Sequence, residues 1–135
     1  MRRAKNSREK GFGVEVEAWR WLETRLLTER SQPCLLRRNF HCREGELDLI
    51  FLETREVHGE RVRDLVIVEV RGRSRGAWVS GLETVTFPKR RKIERAARRF
   101  LLRFPVELLS SVRFDVLSQD GDSWVWVRDA WREGE

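Results

Sequence analysis

The sequence predicts an α/β domain whose elements run helix, three strands, helix, two strands. Three observations predict it. Apolar residues recur at helical spacing in two segments, one near the start of the chain and one past its middle. Between and after them lie runs rich in Val, Ile, Leu and Phe that read as strands. Gly, Pro, Asn and Asp then punctuate those runs where the chain has to turn.

Residues 1–10 are charged and poor in apolar side chains, so they are expected as a basic flexible arm ahead of a single domain spanning 11–135. From about Gly13 to Arg30 the spacing of Ala18, Trp19, Leu22 and Leu26 predicts a helix with one apolar stripe. Glu15 lies on that same stripe, so its carboxylate faces inward near the helix start. After Pro33, residues 34–40 read as a first strand, and Arg43-Glu44-Gly45 as a turn. The second strand, 46–53, places Glu46, Asp48, Ile50 and Leu52 on one face. The charged stretch from Glu53 to Arg63, with Gly59, reads as a hairpin connection.

The third strand, about 64–71, sets Leu65, Ile67, Glu69 and Arg71 on one face and Val66, Val68 and Val70 on the other. A run apolar on both faces suits a central strand. Arg71 to Gly76 follows as a basic, flexible loop. The second helix, about 88–104, starts at Pro88 and repeats apolar residues at Ile93, Ala96, Ala97, Phe100, Leu101 and Phe104. Lys89, four residues before Ile93, continues that inward stripe. Strands over 112–117 and 124–127 flank a turn at residues 119–122.

At 135 residues the chain fits one domain with a real core, and its 40% hydrophobic and 37% charged residues suit a globular fold with a charged surface. No run approaches a membrane span, and the basic N-terminus lacks a signal peptide's apolar stretch, so the expected location is the cytoplasm without a membrane partner. Cys34 and Cys42 are expected as free thiols, since their spacing lacks the close pairs of structural zinc sites. The net charge of +6 favours a polyanionic partner. That charge is polarised: residues 88–104 hold eight Lys and Arg against Glu94 alone, and the arm holds five against Glu9.

Asp48 and Glu69 each place a carboxylate inside an apolar strand run, which is costly unless a cation, a proton or strong hydrogen bonds compensate it. Taken singly, Asp48 needs only backbone donors and Glu69 only Arg71. Together, on a hairpin that brings opposing Cβ atoms within about 5 Å, they point to one shared ion. A hard divalent cation such as magnesium accepts such oxygens and holds waters able to attack phosphorus. Glu15 is the expected third acidic group over this pair. Arg71, two residues after Glu69 on the same face, brings a guanidinium that neutralises phosphate charge but does not give up its proton.

The residues that carry these features resemble the YraN-type family of small bacterial proteins over roughly residues 11–117. Glu15-x-x-Ala18-x-x-Trp21-Leu22 is similar to the family's first-helix motif, and Arg38-Asn39-Phe40 with Gly45-Glu46-Leu47-Asp48-Leu49-Ile50 to its most specific stretch. Val68-Glu69-Val70-Arg71-x-Arg73 resembles its Val-Glu-Val-Lys-x-Arg motif. Lys89, Lys92-Ile93, Ala96 and Phe100-Leu101 resemble its second helix, and Arg113-Phe114-Asp115-Val116 closes the match. Two departures stand out: Arg71 replaces the motif lysine, and Val14 replaces a usual glycine. The resemblance implies a restriction-endonuclease-like αβββαββ core, with a central mixed sheet flanked by helices, and a homodimer by analogy with resolvase-like relatives.

These readings converge on a magnesium- or manganese-dependent endonuclease-like protein acting on DNA, with branched DNA as the structured substrate. Asp48, Glu69 and Glu15 are the expected metal ligands. Arg71 and Lys89 join them as expected catalytic groups, Lys89 standing in for the missing lysine. Arg73, Arg75, Arg90, Arg91 and Lys92 are expected to grip phosphates. The alternative is a catalytically impaired nucleic-acid-binding module with the nuclease fold. A third reading is a protein-interaction domain using exposed tryptophans such as Trp78 and Trp131.

Overall fold

A computed structural model describes residues 7–73 and 85–135. Its elements are α1 (Ser7–Thr28), β1 (Gln32–Cys42), β2 (Gly45–Val57), β3 (Glu60–Arg73), α2 (Phe87–Leu101), a short 3-10 turn (Val106–Leu108), β4 (Ser111–Asp120) and β5 (Ser123–Trp131). The five strands form one sheet in chain order, antiparallel except where β3 lies parallel to β4. Parallel neighbours need a crossover, and α2 provides it. The result is the expected α/β core with a mixed sheet and two helices.

The helices cover opposite faces. Ala18, Leu22 and Leu26 of α1 pack on Leu49, Phe51, Val66, Val68 and Leu117. On the other face, Ile93, Ala96 and Ala97 of α2 pack on Leu47, Ile50, Leu65, Ile67, Phe114 and Val116. β3 is buried on both sides, as a central strand requires. Thr86 caps α2, its hydroxyl accepting from Lys89 N–H, and Pro88 sits in the first turn. Among the described residues no helix is long and apolar enough to cross a membrane.

Four expectations need correction. α1 begins at Ser7, so residues 7–10 continue the helix instead of belonging to the arm, while residues 1–6 lie outside the described residues. Arg, Glu and Lys are good helix formers, and no proline interrupts them. The expected hairpin connection between residues 53 and 63 is mostly strand: β2 and β3 continue to a tight turn at His58 (φ 52°) and Gly59 (φ 81°). Two consecutive left-handed residues match the twist of a hairpin, and solvent accepts the charges beside them. α2 ends at Leu101, ahead of Phe104, and the last two strands lengthen to a turn at Gly121-Asp122.

The fourth correction concerns Trp131. It is only 2% exposed and stacks on Phe114 with ring centroids 5.1 Å apart, so it belongs to the core and offers no interaction surface. Trp78 lies outside the described residues. Cys34 and Cys42 are free thiols.

Candidate functional site

The site begins where β2 leaves β3. Leu49 opposite Val68 is the last rung between the two strands, so Asp48 and Glu69 are the next pair outward. Strict alternation also fails here. Leu47 and Ile50 pack on the α2 side while Leu49 and Phe51 pack on the α1 side, so the expected common face for Glu46, Asp48, Ile50 and Leu52 does not form. Asn39, between the residues of β1 that pair with Leu47 and Leu49, has φ 53°. Asparagine adopts that left-handed conformation more readily than most residues.

This break gives Asp48 its place. Its Oδ2 accepts the Val70 N–H at 2.8 Å, replacing the rung that the diverging strands no longer make. The carboxyls of Asp48 and Glu69 interact directly, and each changes the proton affinity of the other. Glu69 Oε1 also receives Arg71 Nη2 at 3.1 Å and lies 3.8 Å from Lys89 Nζ. Lys89 therefore reaches the site from α2, as its place on the inward stripe predicts.

Glu15 approaches from α1, close enough to Asn39 and Asp48 for both to act on its proton affinity. The three carboxyls form a chain, Glu15 to Asp48 to Glu69, with Asp48 in the middle. They are not a ready cage: among the described residues no three acidic, His or Cys side chains stand as a metal-holding group. Burial pushes Glu15 up to about 7, and the Asp48 charge adds to that. Burial, again followed by Asp48, pushes Glu69 up to about 8 against the pull of Arg71 and Lys89. Burial raises Asp48 too, while the Val70 N–H favours its charged form.

Glu15 Oε2 and Arg71 Nε are buried without a hydrogen-bond partner among the described residues, as is Trp131 Nε1 in the core. Buried polar groups are normally paired. Carboxyls with raised proton affinity are the donor type that a hard divalent cation such as magnesium or manganese takes, and binding one would displace the protons they hold; as placed, they form no three-ligand group among the described residues.

The expected phosphate grip is less uniform. Arg90 donates from Nε to Val85 O and lies over the Trp131 ring, while Arg91 binds Glu94 at 2.8 Å and Glu135 O at 2.6 Å. Both are engaged within the protein. Lys92 is exposed, Arg73 closes β3, and Arg75 lies outside the described residues.

Two features escaped sequence reasoning. Asn39 was visible only as part of Arg38-Asn39-Phe40; a polar amide inside a strand run was the available signal. The second feature is a charged network at the other end of the same strands. Arg113 grips Asp115 with Nε and Nη2 at 2.9 and 3.0 Å, and reaches Glu53 at 3.2 Å and Asp64 at 3.8 Å. Ser31, Ser111, Arg55 and Trp126 complete it with hydrogen bonds of 2.7–3.0 Å. Arg113 and Asp115 stand two apart on one strand, but nothing in the sequence tells that Glu53 and Asp64 meet them.

Fold and site together define a class: a small α/β protein with a mixed five-stranded sheet between two helices and a polar cluster where the sheet divides. Within that class the chain belongs to the uncharacterised protein family UPF0102, the YraN-type family, whose model matches residues 14–118. It is 34% identical to a UPF0102 protein of Legionella pneumophila, covering 95% of this chain and 98% of the relative. A UPF0102 protein of Alcanivorax borkumensis is also 34% identical, over 96% and 94% of the two chains. One from Aliivibrio salmonicida is 36% identical over 99% and 100%. The restriction-endonuclease-like fold is consistent with this family.

Proposed function

We propose that this is a metal-dependent, nuclease-like protein acting on DNA, with branched or otherwise structured DNA as its substrate. One observation carries the reading. Half-buried Asp48 and buried Glu69 stand together at the split between β2 and β3, with Arg71 and Lys89 converging on Glu69. A cation bound there would supply an activated water and polarise a phosphoryl group. Asp48 and Glu69 would hold it, with Glu15 giving up its proton to adjust the charge beside Asp48. Arg71 and Lys89, released from Glu69, would neutralise the charge that develops on phosphate. DNA as partner, a homodimer as the working assembly and the cytoplasm as location belong to the same reading.

The test is cleavage of linear and branched DNA with magnesium or manganese, comparing the protein with Asp48→Asn and Glu69→Gln. Loss of cleavage in both variants is expected. Equal cleavage by all three proteins would end the assignment.

A second reading is favoured by Arg71 in the lysine position: a module that binds nucleic acid without turning it over. Arg71→Lys separates the two. Under the nuclease reading it raises cleavage by about 10²-fold, the gain expected of a positioned general base. A protein that binds DNA yet cleaves none, with or without that substitution, would be the binding module.

A further inference from the structure

The flank of α1 turned toward β5 carries a second stripe at helical spacing, running from Glu17 through Arg20, Trp21, Thr24 and Arg25 to Thr28. With Trp124 at the start of β5 it lines an open groove of about 580 Å3. Its walls differ in origin but are held rigidly. Trp21 stands edge-on to Trp126, centroids 6.1 Å apart, and Trp126 is itself pinned by donating Nε1–H to the buried Asp115. Arg25 lies over the Trp21 ring, 5.7 Å from its centroid. β5 is the last strand of the sheet, so Trp124 sits at a sheet edge.

The chemistry of the lining narrows the occupant. Arg20 and Arg25 are exposed and have no ion-pair partner among the described residues. Thr24 and Thr28 spend their hydroxyls on Arg20 O and Arg25 O, so the guanidiniums are the groove's main free donors. Two half-buried indoles beside two free guanidiniums suit a ligand with flat aromatic faces and a backbone of negative charges. An apolar peptide would leave the guanidiniums unmatched. A small anion would leave the indoles unused. In duplex DNA the base faces are already stacked on one another, whereas an unpaired strand offers both its bases and its phosphates.

We propose that this groove holds an unpaired nucleic-acid strand, a base stacked on Trp124 and its phosphates on Arg20 and Arg25, with Trp21 forming the wall under Arg25. Trp124 pairs with Gln119, two strands over from Glu69 and three residues beyond its partner Val116. Strand spacing and rise put the backbone of Trp124 roughly 14 Å from that of Glu69 at the same end of the sheet, the groove lying on the α1 face and the Glu69 carboxyl on the α2 face, so a strand would pass around the sheet end between them. The inference rests on the nuclease-like reading for its place in the reaction: it makes the substrate a DNA with a single-stranded segment next to the scissile position.

Anisotropy of a labelled oligothymidylate, measured with EDTA so that no cleavage occurs, tests the groove separately from catalysis. The single strand should bind more tightly than a duplex of equal length. Trp124→Ala should weaken it about tenfold, within the range of one lost base stack, with partial recovery in Trp124→Phe. Arg20→Ala and Arg25→Ala should each flatten the salt dependence by roughly 0.7 in log–log slope. Because Trp21 packs on Trp126, it is tested as Trp21→Phe with the melting temperature checked. Equal affinity for single strand and duplex overturns the inference, as does unchanged binding in Trp124→Ala and the two arginine variants. So does self-association of the protein that Trp124→Ala abolishes without any oligonucleotide binding. Cleavage lost in Asp48→Asn with groove binding intact is the expected split; cleavage of structured DNA with no preference for single strands leaves the nuclease reading standing and removes this one.

Discussion

Asp48 and Asp115 each sit where a strand pairing is interrupted, and each accepts a backbone N–H freed there, from Val70 at 2.8 Å and from Asp129 at 2.9 Å. Each break also involves a residue with left-handed backbone, Asn39 at φ 53° and Asp129 at φ 50°. The surroundings then diverge. Asp115, fully buried, receives two bonds from Arg113 and one from Trp126, and the neighbouring Glu53 and Asp64 share the same guanidinium or a nearby hydroxyl. Asp48 meets two more carboxyls instead. The first cluster is closed by ion pairs and hydrogen bonds within the chain; in the second, Arg71 and Lys89 pair with Glu69, but Glu15 Oε2 and Arg71 Nε keep no hydrogen-bond partner among the described residues.

The largest expected effect falls on the closed cluster. Arg113→Met keeps much of the side-chain volume but strands Glu53, Asp64 and Asp115 without their shared cation. Urea denaturation should show a loss of about 3–5 kcal/mol, the cost of breaking a buried pair by removing one partner. A loss below about 1 kcal/mol would mean that the serines and Arg55 satisfy those acids unaided, and the contrast between the clusters would fail.

At the open cluster, magnesium should stabilise the protein by about 2.7 kcal/mol when present at 100 times its dissociation constant. Thermal melts of the protein and of Asp48→Asn measure this. The variant should show no metal-induced rise beyond that caused by ionic strength.

The third effect is a dependence on pH. Glu69 is raised from 4.5 to about 8 and Glu15 from 4.5 to about 7, so between those values the folded protein binds more protons than the unfolded chain. Stability without metal therefore contains a contribution present below about 4.5 and lost as pH rises through 7 and 8. Glu69→Gln, which cannot ionise, should be more stable than the parent by on the order of 1–2 kcal/mol at pH 9, and should flatten the profile. Metal binding should oppose the loss, since it replaces the protons with a cation. A parent that grows more stable across this window in EDTA would contradict the raised acids.

Lys89→Ala should have the smallest effect on stability, on the order of 0.5–1 kcal/mol at neutral pH, because the 3.8 Å contact is partly exposed and Arg71 remains on the same oxygen. Its effect on cleavage should be larger than on the melting temperature. Equal fractional effects on both would make Lys89 structural alone.

Much of this comparison was legible in the residues and part was not. Apolar spacing located α2 because Ile93, Ala96 and Ala97 face one surface regardless of their neighbours. The inward placement of Glu15 and Lys89 followed from the same arithmetic. The strand face of Asp48 did not follow, since a local break changes the parity of everything beyond it and leaves no compositional mark. The closed network was invisible for another reason: Glu53, Asp64 and Arg113 are separated by tens of residues and meet only through strand register. Likewise, the expected basic face of α2 lost Arg90 and Arg91 to partners that periodicity alone does not reveal, Val85 O and the C-terminal segment.

The sequence by itself determined the order of the elements, the two helix faces and the identity of the acidic pair, because hydrophobic period and the cost of burying charge are local properties of the chain. Only the tertiary structure decided which carboxyls meet, which are neutralised and which are left open. Those outcomes depend on register, on the divergence of β2 from β3, and on which cations the crossover through α2 brings within reach.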